Sequence, residues 1–209
     1  MNKLFIIGLP RTGTTSISVA LLAHNYKVAH TAYTKRAFEL ADVVSDAPCF
    51  CDYQELDLLF PGSKFVYLDR ELNVWLPSIQ RLLHKMQANL ELKTGHFNPV
   101  LKRSFHKTFA LLDTEDPIAE SHLENCYRQH QQEVFDYFSA RSDLLKIDIS
   151  KPKSLATLLG FLGTSTEGCG EFPRLNVGKQ VDSWKEFKHA NKVNPNSAGK
   201  EHRKFFDYV

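Results

Sequence analysis

Lys3 to Ser18, KLFIIGLPRTGTTSIS, is the stretch from which the rest of the chain is read. An apolar run, Leu4 to Ile7, leads into a turn bounded by Gly8 and Gly13, and the turn leads into a helix that opens on Thr14, Thr15 and Ser16. A short apolar run of this kind reads as a buried strand. A glycine-bounded turn between a strand and a helix aims successive backbone N–H groups into one concavity, where the helix dipole also favours negative charge. The stretch therefore predicts a cradle for phosphate or sulfate.

The spacing of Gly8, Gly13 and Thr15 matches the nucleotide-binding pattern G-x-x-x-x-G-K-[ST], but Thr14 stands at the lysine position. The cation lies inside the loop instead, as Arg11. This substitution argues against an ATP-dependent kinase, the nearest alternative enzyme. The string Pro10-Arg11-Thr12-Gly13-Thr14-Thr15 resembles the 5′-phosphosulfate loop of the sulfotransferases that use 3′-phosphoadenosine-5′-phosphosulfate (PAPS), which carry the basic residue ahead of the second glycine.

A second motif is independent of the first. In KFVYLDRELNVWLPSIQ, Arg70 follows a strand pattern and Ser78 lies eight positions later on the next helix. The string resembles the 3′-phosphate motif of the same family, in which such an Arg and Ser grip one phosphate. The chemistry suits the role: a guanidinium holds phosphate through paired, charge-assisted hydrogen bonds. Asn73 is the expected N-cap, which would put Pro77 and Ser78 in the first turns and Ser78 near the helix's positive end. The resemblance runs along nearly the whole chain, through the DAP turn, FPGSKF, LKIDI, GFLG and FPRLN. It implies PAPS as donor and PAP as product, with residues 10 to 15, Arg70 and Ser78 as the donor site and no metal. It also makes Lys179, in LNVGK, a candidate for the 3′-phosphate.

The acceptor must lose a proton, and the sequence offers two bases without choosing between them. His30 ends the candidate strand YKVAH, where the carboxyl ends of an open sheet receive ligands, and its ordinary pKa suits general base catalysis. Asp46 lies in VVSDAP, a segment that brings the chain back before a proline-forced turn. Arg11 joins them as a catalytic candidate, because its charge would stabilise the leaving phosphate. A non-catalytic nucleotide-binding protein remains a further alternative.

The rest of the chain frames these motifs. Strands are expected at 4–7, 26–30, 64–68 and 144–149, separated by helices at 34–41, 73–90 and 155–162, with a further helical pattern between Phe50 and Phe60. Their alternation predicts a single α/β domain over residues 1–209, of the three-layer P-loop type, with a mostly parallel sheet flanked by helices. Residues 93–140 read as a helical insertion able to lid the site. Its first part, Lys93 to Asp113, mixes His96, Lys102, Arg103, His106 and Lys107 with Phe97, Phe105 and Phe109, which hints at an anionic or sugar-like acceptor. The second part, 115–140, reads as one long helix.

Composition narrows the classes. A chain of 209 residues with a formal net charge of +2 suits one core and gives no electrostatic footprint for nucleic acid. Cys49, Cys51, Cys126 and Cys169 lack the spacing of a zinc site and read as reduced thiols. No apolar run is long enough to cross a bilayer, and the first strand begins too near Met1 to leave room for a targeting peptide. A cytoplasmic enzyme acting on a small molecule or carbohydrate is expected.

Overall fold

A computed structural model describes residues 2–173, 175 and 183–198. The chain runs β1 (Leu4–Ile6), α1 (Thr14–Ala23), β2 (Val28–Ala29), α2 (Lys35–Leu40), β3 (Val43–Ser45), α3 (Tyr53–Leu59), β4 (Lys64–Leu68), α4 (Leu72–Leu90), α5 (Pro99–Phe109), α6 (Glu120–Tyr137), β5 (Leu144–Ile147), α7 (Ser154–Leu162) and α8 (Ser183–Glu186). The strands form one parallel sheet in the order β2-β3-β1-β4-β5. VVSDAP thus supplies a true strand, β3, and not merely a return of the chain.

The sheet's burial follows from side-chain alternation along each strand. Leu4 and Ile6 of β1 join Val66 and Leu68 of β4 in a core under α1 and α7. Phe5 and Ile7, with Phe65 and Tyr67, face the opposite core under α2, α3 and α6. Helices on both faces explain why β1 and β4 read as unbroken apolar runs. A third cluster, including Trp75, Ile79, Leu83, Phe105, Phe109 and Leu123, joins α4, α5 and α6 and packs on Leu9 and Phe50, just past the carboxyl ends of β1 and β3. Residues 93–140 thus supply α5 and α6, which pack with α4 beside the sheet edge where the loops emerge.

Two helix starts differ from the sequence reading. Glu71 is the N-cap of α4, so Asn73 lies inside the helix, Pro77 is its sixth residue and Ser78 falls at the end of the second turn. The carbonyl of Asn73 would ordinarily accept from residue 77, where proline has no N–H; Asn73 and Pro77 are exposed, so water can satisfy it. The helix expected from residue 115 begins at Glu120. Pro117 disfavours helical backbone at Asp116, whose carboxylate instead accepts from the Ile118 N–H at 3.2 Å.

Candidate active site

The loop after β1 is held by its neighbours. Thr12 closes it on itself, donating from backbone N–H (3.2 Å) and hydroxyl (2.7 Å) to the Leu9 carbonyl. Trp75, from α4, donates its indole N–H to the Pro10 carbonyl at 2.9 Å, and the Arg70 guanidinium donates to the Arg11 carbonyl. Arg11 takes φ 72° and Gly13 φ 112°. A Cβ at Gly13 would lie 2.2 Å from Cδ1 of Ile149, and one at Gly8 2.5 Å from Cβ of Leu68, so both glycines are required by close approach. Gly13 is also the N-cap of α1, leaving the first N–H groups of that helix turned toward the loop's hollow.

The two motifs meet because β1 and β4 are adjacent, with Ile6 opposite Val66. Nε of Arg11 donates to Oγ of Ser78 at 2.9 Å. Tyr127, from α6, fixes the Arg70 backbone, accepting from its N–H at 3.2 Å and lying 2.8 Å from its carbonyl. Burial lowers the Arg11 pKa, and the positive charges of Arg70 and then Arg81 lower it further, against a smaller opposing pull from Asp46. Burial also lowers Arg70, with Asp148 opposing and Arg81 adding to the fall. Three guanidiniums are thus concentrated at one mouth, a field that a ligand with several negative charges relieves.

β2 and β3 bring the second constellation together, since Ala29 pairs with Val44 and the strands end side by side. His30 and Asp46 follow those ends, with Nε2 3.7 Å from Oδ2. Asp46, at φ 56°, accepts from the Ala47 N–H at 2.9 Å and the Thr14 hydroxyl at 3.1 Å. On the other side of the imidazole, Nδ1 lies 3.0 Å from Oγ of Ser45 and 3.3 Å from Oγ of Ser18.

Ser18 donates to the Thr14 carbonyl at 2.7 Å, and Ser45 has the His30 carbonyl at 3.1 Å and Oγ of Ser18 at 2.8 Å within reach. Both serine oxygens can accept from a protonated Nδ1, and in that tautomer Nε2, 3.3 Å from the Thr15 hydroxyl, is the basic nitrogen. Burial lowers the His30 pKa; Asp46 opposes that fall and Lys192 adds to it, so the ring is neutral at pH 7. Trp184 packs against it with ring centroids 5.1 Å apart.

Pro10 to Ser16, His30, Asp46, Arg70 and Ser78 all line one cleft of about 830 Å³. A family model for the sulfotransferase domain matches residues 31–181.

The chain belongs to the sulfotransferase family.

The matched segment of this sulfotransferase contains Asp46, Arg70 and Ser78 and begins one residue after His30. The loop at 8–15 precedes it, yet is joined to it through the Arg11–Ser78 and Thr14–Asp46 contacts. A search of curated proteins finds no significant match. Lys179 lies outside the described residues. Among the described residues, no cluster of His, Cys, Asp or Glu could hold a metal ion, and no helix is long and apolar enough to cross a membrane. Sequence reasoning missed Ser18, Ser45, Tyr127 and Trp184 as partners of the site. Only Ser18 carried a local signal, four residues after Thr14 on the same helix face.

Proposed function

We propose that this single-domain protein is a PAPS-dependent sulfotransferase whose donor site comprises Pro10 to Thr15, Arg70 and Ser78, with Lys179 a further candidate. The reading rests on the convergence of Arg11, Arg70 and Ser78 at the ends of two adjacent strands. A nucleotide with phosphates on both its 5′ and 3′ sides suits a pair of basic groups reached from neighbouring strands, with Arg81 adding charge to the same cleft. Thr14, where a nucleotide-hydrolysing loop carries lysine, is buried and bonded to Asp46, which disfavours ATP.

When bound, PAPS supplies a sulfuryl group on a leaving 5′-phosphate, so that the acceptor oxygen forms its bond to sulfur as the sulfur–phosphate oxygen bond breaks. His30 is the base: neutral, and in the tautomer protonated at Nδ1, it takes the acceptor's hydroxyl proton at Nε2. Asp46 favours the resulting imidazolium through its carboxylate 3.7 Å away. Arg11, the first N–H groups of α1 and the hydroxyls of Thr14 and Thr15 stabilise the charge left on the phosphate oxygen, which is preorganised electrostatic catalysis.

The test is transfer of labelled sulfate from PAPS to a broad panel of alcohols and phenols without added metal, with ATP as the competing donor. Transfer from PAPS that is lost in Arg11→Ala supports the proposal. Phosphate transfer from ATP in its place would refute it, and PAP binding without turnover of any acceptor would leave a nucleotide-binding protein.

A further inference from the structure

The aromatic and basic segment before and within α5 divides its two chemistries cleanly. Lys93 and His96 are exposed and do not line the cleft, and the four basic groups within α5 are engaged with the protein. Lys102 is buried and donates to the carbonyls of Leu92 (3.2 Å) and Gly95 (2.6 Å). Arg103 holds the buried Asp52 carboxylate through bonds of 2.9 and 2.5 Å, Lys107 donates to the Cys51 carbonyl at 3.1 Å, and His106 donates to the Leu90 carbonyl at 2.8 Å. None of these four lines the cleft. The residues of the segment that do line it are Leu101 and Phe105, four apart on α5 and therefore on one stripe, and Phe97, just ahead of the helix.

α4 supplies the facing wall with Leu82 and Met86, again four apart. Arg81 belongs to the phosphate end, since its charge acts on Arg11 and Arg70, and Lys85 is exposed on the cleft's lining. A buried sugar needs a partner for each hydroxyl it desolvates, and Leu82, Met86, Phe97, Leu101 and Phe105 offer none.

We propose that the acceptor is a hydroxyl compound with an apolar body, an alkyl or aryl alcohol, seated between α4 and α5 with its hydroxyl toward His30. The proposal rests on the sulfotransferase reading for its chemistry, and it replaces the anionic or sugar-like acceptor that composition suggested. Met86, Phe97 and Leu101 are half-buried, so each has surface left to give to a ligand.

The experiment titrates 4-alkylphenols, from methyl to pentyl, into the full chain with and without PAP by calorimetry, and measures kcat/KM for the same series with PAPS. Affinity and kcat/KM are expected to rise by up to about fourfold per methylene until the trough is filled. Leu101→Ser should remove about tenfold from 4-pentylphenol and less from phenol, with PAP binding unchanged; Leu101→Met should restore the gain. A flat series, or better binding and turnover of N-acetylglucosamine, would overturn the proposal. If PAP does not bind, the donor reading fails separately. The trough then stands if alkylphenol binding rises with chain length and falls in Leu101→Ser, and it is overturned if neither occurs.

Discussion

If His30 is the base, the acid limb of its pH–rate profile should lie below pH 6.5, because burial is the largest influence on its pKa and favours the neutral ring. Asp46→Asn should lower that limb further, since the carboxylate is what favours the charged ring. Two unit charges 3.7 Å apart interact by about 1 kcal/mol in water and by roughly 4 kcal/mol at an effective dielectric of 20. The side chains are 13% and 17% exposed, so solvent screens part of this; an effect of about 1–2 kcal/mol, or about one pH unit, is expected. His30→Gln should lower kcat by about 10²–10⁴ and abolish the limb. The assay is labelled sulfate transfer from PAPS to a 4-alkylphenol between pH 4.5 and 8.5. A limb that persists in His30→Gln, or that stays put in Asp46→Asn, refutes the assignment. Loss of activity in Asp46→Asn with little loss in His30→Gln would make the carboxylate the base.

Arg11→Ala should lower kcat by about 10²–10³, the usual effect of losing one preorganised donor, with a smaller change in PAP affinity; weaker PAP binding with kcat unchanged at saturating PAPS would mean that Arg11 acts only in binding. Gly13→Ala should destabilise the fold by about 1–3 kcal/mol, because φ is 112° and its Cβ would meet Ile149; chemical denaturation and PAP titration check the fold and the cradle together. Acid stability should depend on His130, buried against the Phe50 carbonyl at 2.7 Å and with no partner at Nδ1 among the described residues. Burial lowers its pKa to about 4, so below pH 6.5 the unfolded state takes up a proton that the native state refuses. Stability should therefore fall by up to about 3 kcal/mol between pH 6.5 and 4. His130→Gln should flatten that slope in urea titrations across this range, and an unchanged slope would contradict the account.

The two central strands were legible because both their faces are covered, which turns LFII and KFVYL into unbroken apolar runs. β3 escaped because three residues, Val43–Ser45, are too few to show a period before the turn at Asp46 and Pro48. The spacing of Arg70 and Ser78 was readable, but the latching of Arg11 onto Ser78 depends on β1 lying beside β4, and no local pattern encodes that. The pairing of His30 with Asp46 has the same origin in the adjacency of β2 and β3. The insertion differs from both. Its charges were visible, but whether a lysine faces a ligand or folds back on a carbonyl, as Lys102 does, is decided by tertiary packing.

The assignment of Arg11, Arg70 and Ser78 to a doubly phosphorylated nucleotide is tested most directly by calorimetric titration of PAP and of ADP, with and without magnesium, into the wild-type chain and Arg70→Ala. PAP should bind without magnesium and more tightly than ADP, and Arg70→Ala should weaken it by about 10–100-fold, the value of charge-assisted hydrogen bonds to one phosphate. Magnesium-dependent binding of ADP with none of PAP, or PAP binding indifferent to Arg70→Ala, would contradict the account.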